Sequence, residues 1–263
     1  MSAVVIGEGL VHYEVIGRGT PLVFIHGWLG SWRYWVPAME ELSAKYRTYA
    51  LDLWGFGDSD RLSERYTIDA YVQLLGDFLK NLGVGVRRPT LVGHALGGIV
   101  ALEFAARDPE LVDRVMGVSV PLLGTAIHRP LATFSGNEDA LARLAARRAD
   151  FPEVELEVRK TDVSAVTGST HSAMVNDVSR LLSSPKVPVL LVHGGDDPLV
   201  ASPQQEWLQR SDSSFRAISL NGTRHFPMLE ERSKFNRLLM DFLDVGDDLS
   251  SLELKEEWQR RQR

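Results

Sequence analysis

The sequence predicts an α/β protein, a mostly parallel sheet with helices on both faces. Three observations lead there. Short, nearly all-apolar runs recur along the chain, such as Pro21–His26 (Pro-Leu-Val-Phe-Ile-His), and suit strands buried on both faces. Longer stretches with apolar residues at helical spacing lie between them. Strand and helix alternate, an order that pairs strands in parallel through right-handed crossovers.

In chain order, Val11–Ile16 reads as a strand closed by a Gly17-Arg18-Gly19 turn, and Pro21–His26 as the next strand. Trp32–Lys45 reads as a helix with Met39, Leu42 and Tyr46 toward one side, followed by a strand over Arg47–Leu53. Tyr66–Leu82 is amphipathic, with Ile68, Tyr71, Val72, Leu75, Phe78, Leu79 and Leu82 at helical spacing. Thr67 supplies an N-cap hydroxyl and Gly83 a stop. Pro89–Gly93 is another buried strand, and Leu96–Arg107 a helix ended by Asp108-Pro109, because the residue before a proline disfavours helical backbone. Strands follow at Arg114–Val120, Val187–His193 and Phe215–Leu220, with a helix around Glu206, Trp207 and Gln209 before the last of them. Arg232–Leu243 forms a final amphipathic helix.

One interval breaks the rhythm. Between Leu122 and Lys186, about 65 residues, no buried strand is found. It holds an Ala-, Leu- and Arg-rich helix over Asn137–Asp150 and a second near His171–Leu182. That length exceeds an ordinary crossover and reads as a helical lid over the carboxyl edge of the sheet. Arg129, Arg143, Arg147 and Arg148 within it read as a solvated face. The expected division is a core of residues 1–121 and 187–246, a lid of residues 122–186 and a charged tail of residues 247–263. In the tail, Leu249, Leu252 and Trp258 pack a peripheral helix, or the end is solvated.

Composition narrows the function classes. The 263 residues are 44% hydrophobic and 24% charged, a globular balance rather than that of a disordered or fibrous chain. Net charge is −6, which argues against a general nucleic-acid binder, since phosphate binding needs a concentrated basic face. No stretch reaches the apolar length of a membrane span, and the first ten residues lack the pattern of a signal peptide. The absence of cysteine excludes disulfides, thiolate metal sites and a cysteine nucleophile, and fits a cytoplasmic location.

Four segments carry chemistry. Gly93-His94-Ala95-Leu96-Gly97, between a strand and a helix, resembles the Gly-x-Ser-x-Gly nucleophile elbow of the α/β-hydrolase family, with alanine where the family places its nucleophile. His26-Gly27-Trp28 ends an early strand, where that family has its other oxyanion donor. Gly194-Gly195-Asp196-Asp197 follows a late strand and resembles the loop of the family's acid. Its spacing points to Asp197, with Asp196 as the alternative. Gly222-Thr223-Arg224-His225 follows the last strand and resembles the loop of the catalytic histidine. The loop Asp52–Ser59 is similar to the family's as well. The order of elbow, acid and histidine is that of this fold. The resemblance covers Val11 to Leu243, and the nearest group is small esterases, perhydrolases and carbon–carbon bond hydrolases with a modest lid.

The resemblance implies an eight-stranded sheet and a site needing no metal or cofactor. His225 would be the base and later the acid, Asp197 would hold the imidazole, and the backbone N–H groups of Trp28 and Leu96 would bind the oxyanion. His26 and His94 read as structural hydrogen-bonding residues. Leu29, Leu122, Phe134, Leu199 and Phe226, with Trp28 and Leu96, are candidate pocket walls for a largely apolar, uncharged small-molecule ester. Without a hydroxyl at Ala95 no acyl-enzyme forms there, and losing the nucleophile of a comparable triad costs about a millionfold in turnover. Three readings follow: a carboxylesterase-type hydrolase whose elbow serine has been replaced, a naturally inactive relative that binds a ligand or partner, or a lyase or oxygenase using His225 and Asp197 without a covalent step. The fully spelled remainder of the machinery favours the first. Oligomeric state is not encoded in any of these motifs.

Overall fold

The computed structural model describes residues 2–147, 151–210 and 212–252. Eight strands form one sheet: β1 (Ser2–Ile6), β2 (Gly9–Gly17), β3 (Thr20–Ile25), β4 (Tyr46–Leu51), β5 (Thr90–His94), β6 (Val115–Val118), β7 (Val189–Gly194) and β8 (Phe215–Leu220). Their spatial order is β1-β2-β4-β3-β5-β6-β7-β8. β1 runs antiparallel to β2, and β2 to β4, while every later pairing is parallel. The sequence reading lacked β1. Its residues Ser2 to Val5 alternate between half-buried and exposed, so this edge strand carries no all-apolar run. The central strands behave as their composition demands: Leu22, Val23, Phe24 and Ile25 of β3 are fully buried.

The helices are α1 (Val36–Leu42), α2 (Ile68–Asn81), α3 (Leu96–Arg107), α4 (Arg129–Ala132), α5 (Glu138–Ala146), α6 (Pro152–Val158), α7 (Val163–Met174), α8 (Ser179–Leu182), α9 (Gln205–Gln209), α10 (Pro227–Glu230) and α11 (Arg232–Asp244). α2 starts where Thr67 accepts a hydrogen bond from the Ala70 N–H, the expected cap. The helix expected from Trp32 to Lys45 divides into a 3-10 turn, Trp32–Trp35, and α1, which begins just before Pro37. The helix expected near His171–Leu182 is broken: α7 ends at Met174, and α8 is a single turn after Asp177 accepts from the Ser179 N–H. Asn137 caps α5, and the end of that expected helix, Arg148 to Asp150, lies outside the described residues. Arg129, Arg143 and Arg147 are exposed, as expected of a solvated face. In the tail, Leu249 and Leu252 are buried around one 3-10 turn, while Trp258 lies outside the described residues.

From α4 to α8 the chain between β6 and β7 is helical, with only the isolated bridges Leu123 to Asp177 and Ile127 to Val200 among the described residues. Because β3, β5, β7 and β8 are parallel, their carboxyl ends share one edge, and that edge gathers the four motif segments. Among the described residues no helix is long and apolar enough to cross a membrane.

Candidate active site

The elbow forms as β5 passes directly into α3. Ala95, between them, has φ 48° and ψ −107°, a left-handed backbone that an L-residue adopts only under constraint. The crowding of the turn explains the flanking glycines. A Cβ on Gly93 would overlap the Gly97 carbonyl oxygen, and one on Gly97 would overlap the carbonyl oxygen of Ile25 on β3. Leu96 is the first residue of α3, so its N–H has no acceptor within the helix. Gly27 abuts the elbow closely: a Cβ there would lie 3.0 Å from the Ala95 methyl carbon. The Trp28 backbone therefore enters beside Ala95, and its indole N–H donates to Ser169 Oγ of α7 at 3.0 Å.

Asp197 and His225 meet across the same edge. His225 Nδ1 lies 2.8 Å from Asp197 Oδ2 and 3.1 Å from Oδ1. Nδ1–H donates to the carboxylate, which leaves Nε2 as the ring nitrogen turned away from Asp197. Asp197 Oδ1 also accepts the N–H groups of Leu199 at 2.8 Å and Val200 at 3.0 Å. Burial alone would raise the Asp197 pKa, but the adjacent His225 and these hydrogen bonds outweigh it and hold it down to about 2. The acid loop is itself tied down: His128 N–H donates to the Leu199 carbonyl, and Ala201 N–H to that of Ala126. The neighbouring Asp196 makes no hydrogen bond or ion pair with His225 among the described residues; its N–H donates to the Thr223 carbonyl.

A buried chain of hydrogen bonds joins the loop after β3, the elbow and the loop of His225. His94 Nε2 lies 2.8 Å from the His225 carbonyl oxygen, so it is the protonated nitrogen and donates. Burial holds His94 well below its ordinary pKa, so the ring is neutral and Nδ1 accepts from the Tyr34 hydroxyl at 2.9 Å. Tyr34 in turn accepts the Gly27 N–H at 2.7 Å. His26 is organised the same way: Nδ1–H donates to the Gly27 carbonyl at 2.9 Å, Nε2 accepts the Leu53 N–H at 3.0 Å, and burial lowers its pKa to about 4. Both histidines are thus structural groups. Tyr34 escaped the sequence reading because nothing in its local pattern distinguishes it from core packing.

The motif residues are buried: Ala95, Leu96, Trp28, Leu29, Leu199, Phe226, Asp197 and His225, with Asp197 the least so at 9% exposure. Phe226 packs edge-on to His225, with ring centroids 5.0 Å apart. Leu122 borders a cavity of about 330 Å³ with Leu123, Pro203 and Trp207. Phe134 is half-buried and borders another, of about 360 Å³, with Arg143 and Arg147. Helices α6 and α7 press on the site. Buried Glu157 of α6 accepts from Ser31 Oγ at 3.1 Å and Arg33 Nε at 2.7 Å, and pairs with Lys160 at 3.2 Å. The sequence held no signal for Glu157 or Ser169, because the partners that tie them to the segment after β3 lie more than 120 residues away.

Among the described residues, His12, Asp52 and Asp58 bring ligand-type atoms within 4.8 Å of one another. Both carboxylates are already engaged. Asp52 accepts the N–H groups of Trp32 at 2.8 Å and Asp58 at 2.9 Å, and Lys160 Nζ holds both oxygens of Asp58. The cluster is a loop anchor.

Known proteins match this architecture. The chain is 26% identical to a 2-hydroxy-6-oxo-6-(2'-aminophenyl)hexa-2,4-dienoic acid hydrolase of Metapseudomonas resinovorans, over 90% of this chain and 89% of that protein. It is 28% identical to epoxide hydrolase 3 of Xenopus tropicalis, over 88% of this chain and 74% of that protein. The enol-lactonase from Burkholderia xenovorans LB400 has the same fold, with a TM-score of 0.80 at 22% identity over 93% of this chain and 100% of that one. Residues 22–238 match the profile of the alpha/beta hydrolase family. Most of the chain lies in that match, its strand order and elbow agree with it, and the protein belongs to the alpha/beta hydrolase family.

Proposed function

We propose that this protein is a carboxylesterase-type hydrolase in a nucleophile-lacking form, built for a small, largely apolar, uncharged ester. The observation that carries this reading is the pairing of an intact His225–Asp197 dyad with an elbow still held at φ 48° around an alanine. Such backbone strain costs on the order of 1–3 kcal/mol, and an alanine gains nothing from it. A serine in that place would gain a hydroxyl lifted above the sheet, which is what the turn accomplishes. With serine restored, His225 Nε2 removes the hydroxyl proton as Oγ attacks the ester carbonyl. The Trp28 and Leu96 N–H groups hold the oxyanion, and His225 returns the proton to the leaving alcohol. Water then repeats the sequence on the acyl-enzyme. Asp197 keeps the imidazole in the right tautomer and stabilises its charged form.

In this reading residues 122–186 are a lid, since α6 and α7 contact Trp28, Ser31 and Arg33 beside the buried motif residues. Leu29, Leu199 and Phe226 are the proposed walls, while Leu122 and Phe134, expected beside them, border two other cavities.

The test is Ala95→Ser with a short p-nitrophenyl ester. Turnover should rise by about a millionfold over the alanine form. It should vanish again in Ala95→Ser/His225→Ala. If both forms stay inert on a broad ester panel, the reading fails. The dyad favours one second reading, in which His225 acts as a general base without a covalent step. Turnover by the alanine form itself, abolished by His225→Ala, would establish it.

A further inference from the structure

Far from the elbow, at the other end of β3, three arginines border one cavity. The cavity measures about 290 Å³, and Arg18, Arg47 and Arg87 line it together with Gly19, Pro21, Tyr49, Leu82, Gly83 and Val84. All three arginines are exposed, and no carboxylate is among the described residues that line the cavity. β3 spans Thr20–Ile25, so its two ends lie about 20 Å apart, and this cavity is no part of the catalytic edge.

The backbone brings these arginines together. Arg47 on β4 pairs with Gly17 of β2 on one side and with Pro21 of β3 on the other, which places Arg18 at the neighbouring strand end. Arg87 arrives from the 3-10 turn Val84–Arg87 that leads from α2 toward β5. Other arginines nearby are engaged: Arg88 donates twice to the Val112 carbonyl, and Arg114 to the carbonyls of Phe242 and Val245. Arg18, Arg47 and Arg87 have no such acceptor among the described residues; Arg47 only stacks over the Tyr49 ring, 5.5 Å from its centroid. The chain as a whole carries net charge −6, yet this cavity gathers three cations and no anion. An oxyanion bound among them would accept their forked N–H donors.

We propose that this cavity is an anion site that takes a phosphate group, free or as a phosphomonoester. Phosphate fits better than a single carboxylate because it carries more charge and more acceptor oxygens for three guanidinium forks. The site stands independently of the hydrolytic chemistry, and its test needs no turnover.

Thermal unfolding and calorimetric titration decide it, with inorganic phosphate and glycerol 3-phosphate as probes and chloride at matched ionic strength as the control. Phosphate should raise Tm saturably, beyond the chloride effect. Arg47→Gln should weaken binding by up to about tenfold, equivalent to about 1.4 kcal/mol. Arg47→Lys, which keeps the charge and loses the fork, should weaken it less. The combined Arg18→Gln, Arg47→Gln and Arg87→Gln protein should respond to phosphate no more than to chloride. A stronger response to glycerol 3-phosphate than to phosphate would support the site and assign it to phosphomonoesters. The reverse would assign it to the free ion. An equal phosphate response in the combined variant, or a rise that never saturates, overturns the proposal. So does a combined variant that loses stability in phosphate-free buffer while keeping its phosphate response, because the arginines would then serve the carboxyl end of α2.

Discussion

Ala95 occupies a strained turn that a buried network keeps in place. The chain from Gly27 N–H through Tyr34 and His94 to the His225 carbonyl couples three loops that never meet in sequence. Tyr34→Phe removes the middle of that chain and leaves two buried polar groups without a partner. Stability should fall by about 2 kcal/mol or more in urea unfolding. In the Ala95→Ser protein the same change should lower kcat with little effect on KM, because the loops that meet the transition state lose their spacing. An unchanged kcat would reduce Tyr34 to core packing. Asp197→Asn in the Ala95→Ser protein should lower kcat about ten-thousandfold, since the amide no longer holds the tautomer that leaves Nε2 as the base. A loss of less than tenfold would mean that His225 is positioned by other groups.

Among the elements, α6 has the least conventional anchor. Seven residues long, it is held by the buried carboxylate of Glu157, with Ser31 and Arg33 reaching it from the segment after β3. Arg33 and Lys160 are each more than a third exposed and can turn back to water when the carboxylate is removed. Glu157→Ala should therefore loosen α6 without unfolding the core. Amide exchange over residues 152–158 should accelerate while β3 and β5 keep their protection, a difference that exchange mass spectrometry resolves. Equal acceleration in α6 and β5 would show that the segment does not open separately.

For the whole molecule, buried ionisable groups shape the pH dependence. Burial lowers His26 and His193 to about 4 from an ordinary 6.5 and holds His94 well below its ordinary value. The unfolded chain binds these protons at a higher pH than the folded one, so stability is lost as pH falls from about 6.5 toward 4, on the order of 3 kcal/mol for each of His26 and His193. Burial raises Asp52 to about 8, only partly offset by the N–H groups of Asp58 and Trp32. There the folded state holds its proton longer, and stability falls as pH rises from about 4 to 8. Burial lowers His12 as well, so among the described residues four histidines outweigh one aspartate on the acid side, and Asp52 works against stability above 6.5. Tm should therefore peak near pH 6.5 and decline on both sides. A Tm that climbs steadily to pH 8.5 would mean that Asp52 ionises freely within the fold.

Sequence by itself determined the layered α/β architecture, because apolar runs and helical spacing are local and repeat often enough to show the alternation. It also determined which loops hold Ala95, Asp197 and His225, because strand-end turns leave short glycine signatures. It missed β1, a half-exposed edge without an apolar run, and it merged α7 and α8 across a break made by a side-chain-capped turn. Only the tertiary structure decided what those loops rest on. Tyr34 under His94, Ser169 against Trp28, Glu157 against Arg33 and the three arginines around one cavity are pairings between distant residues. Each depends on where parallel strands end and helices cross, which no local spacing records.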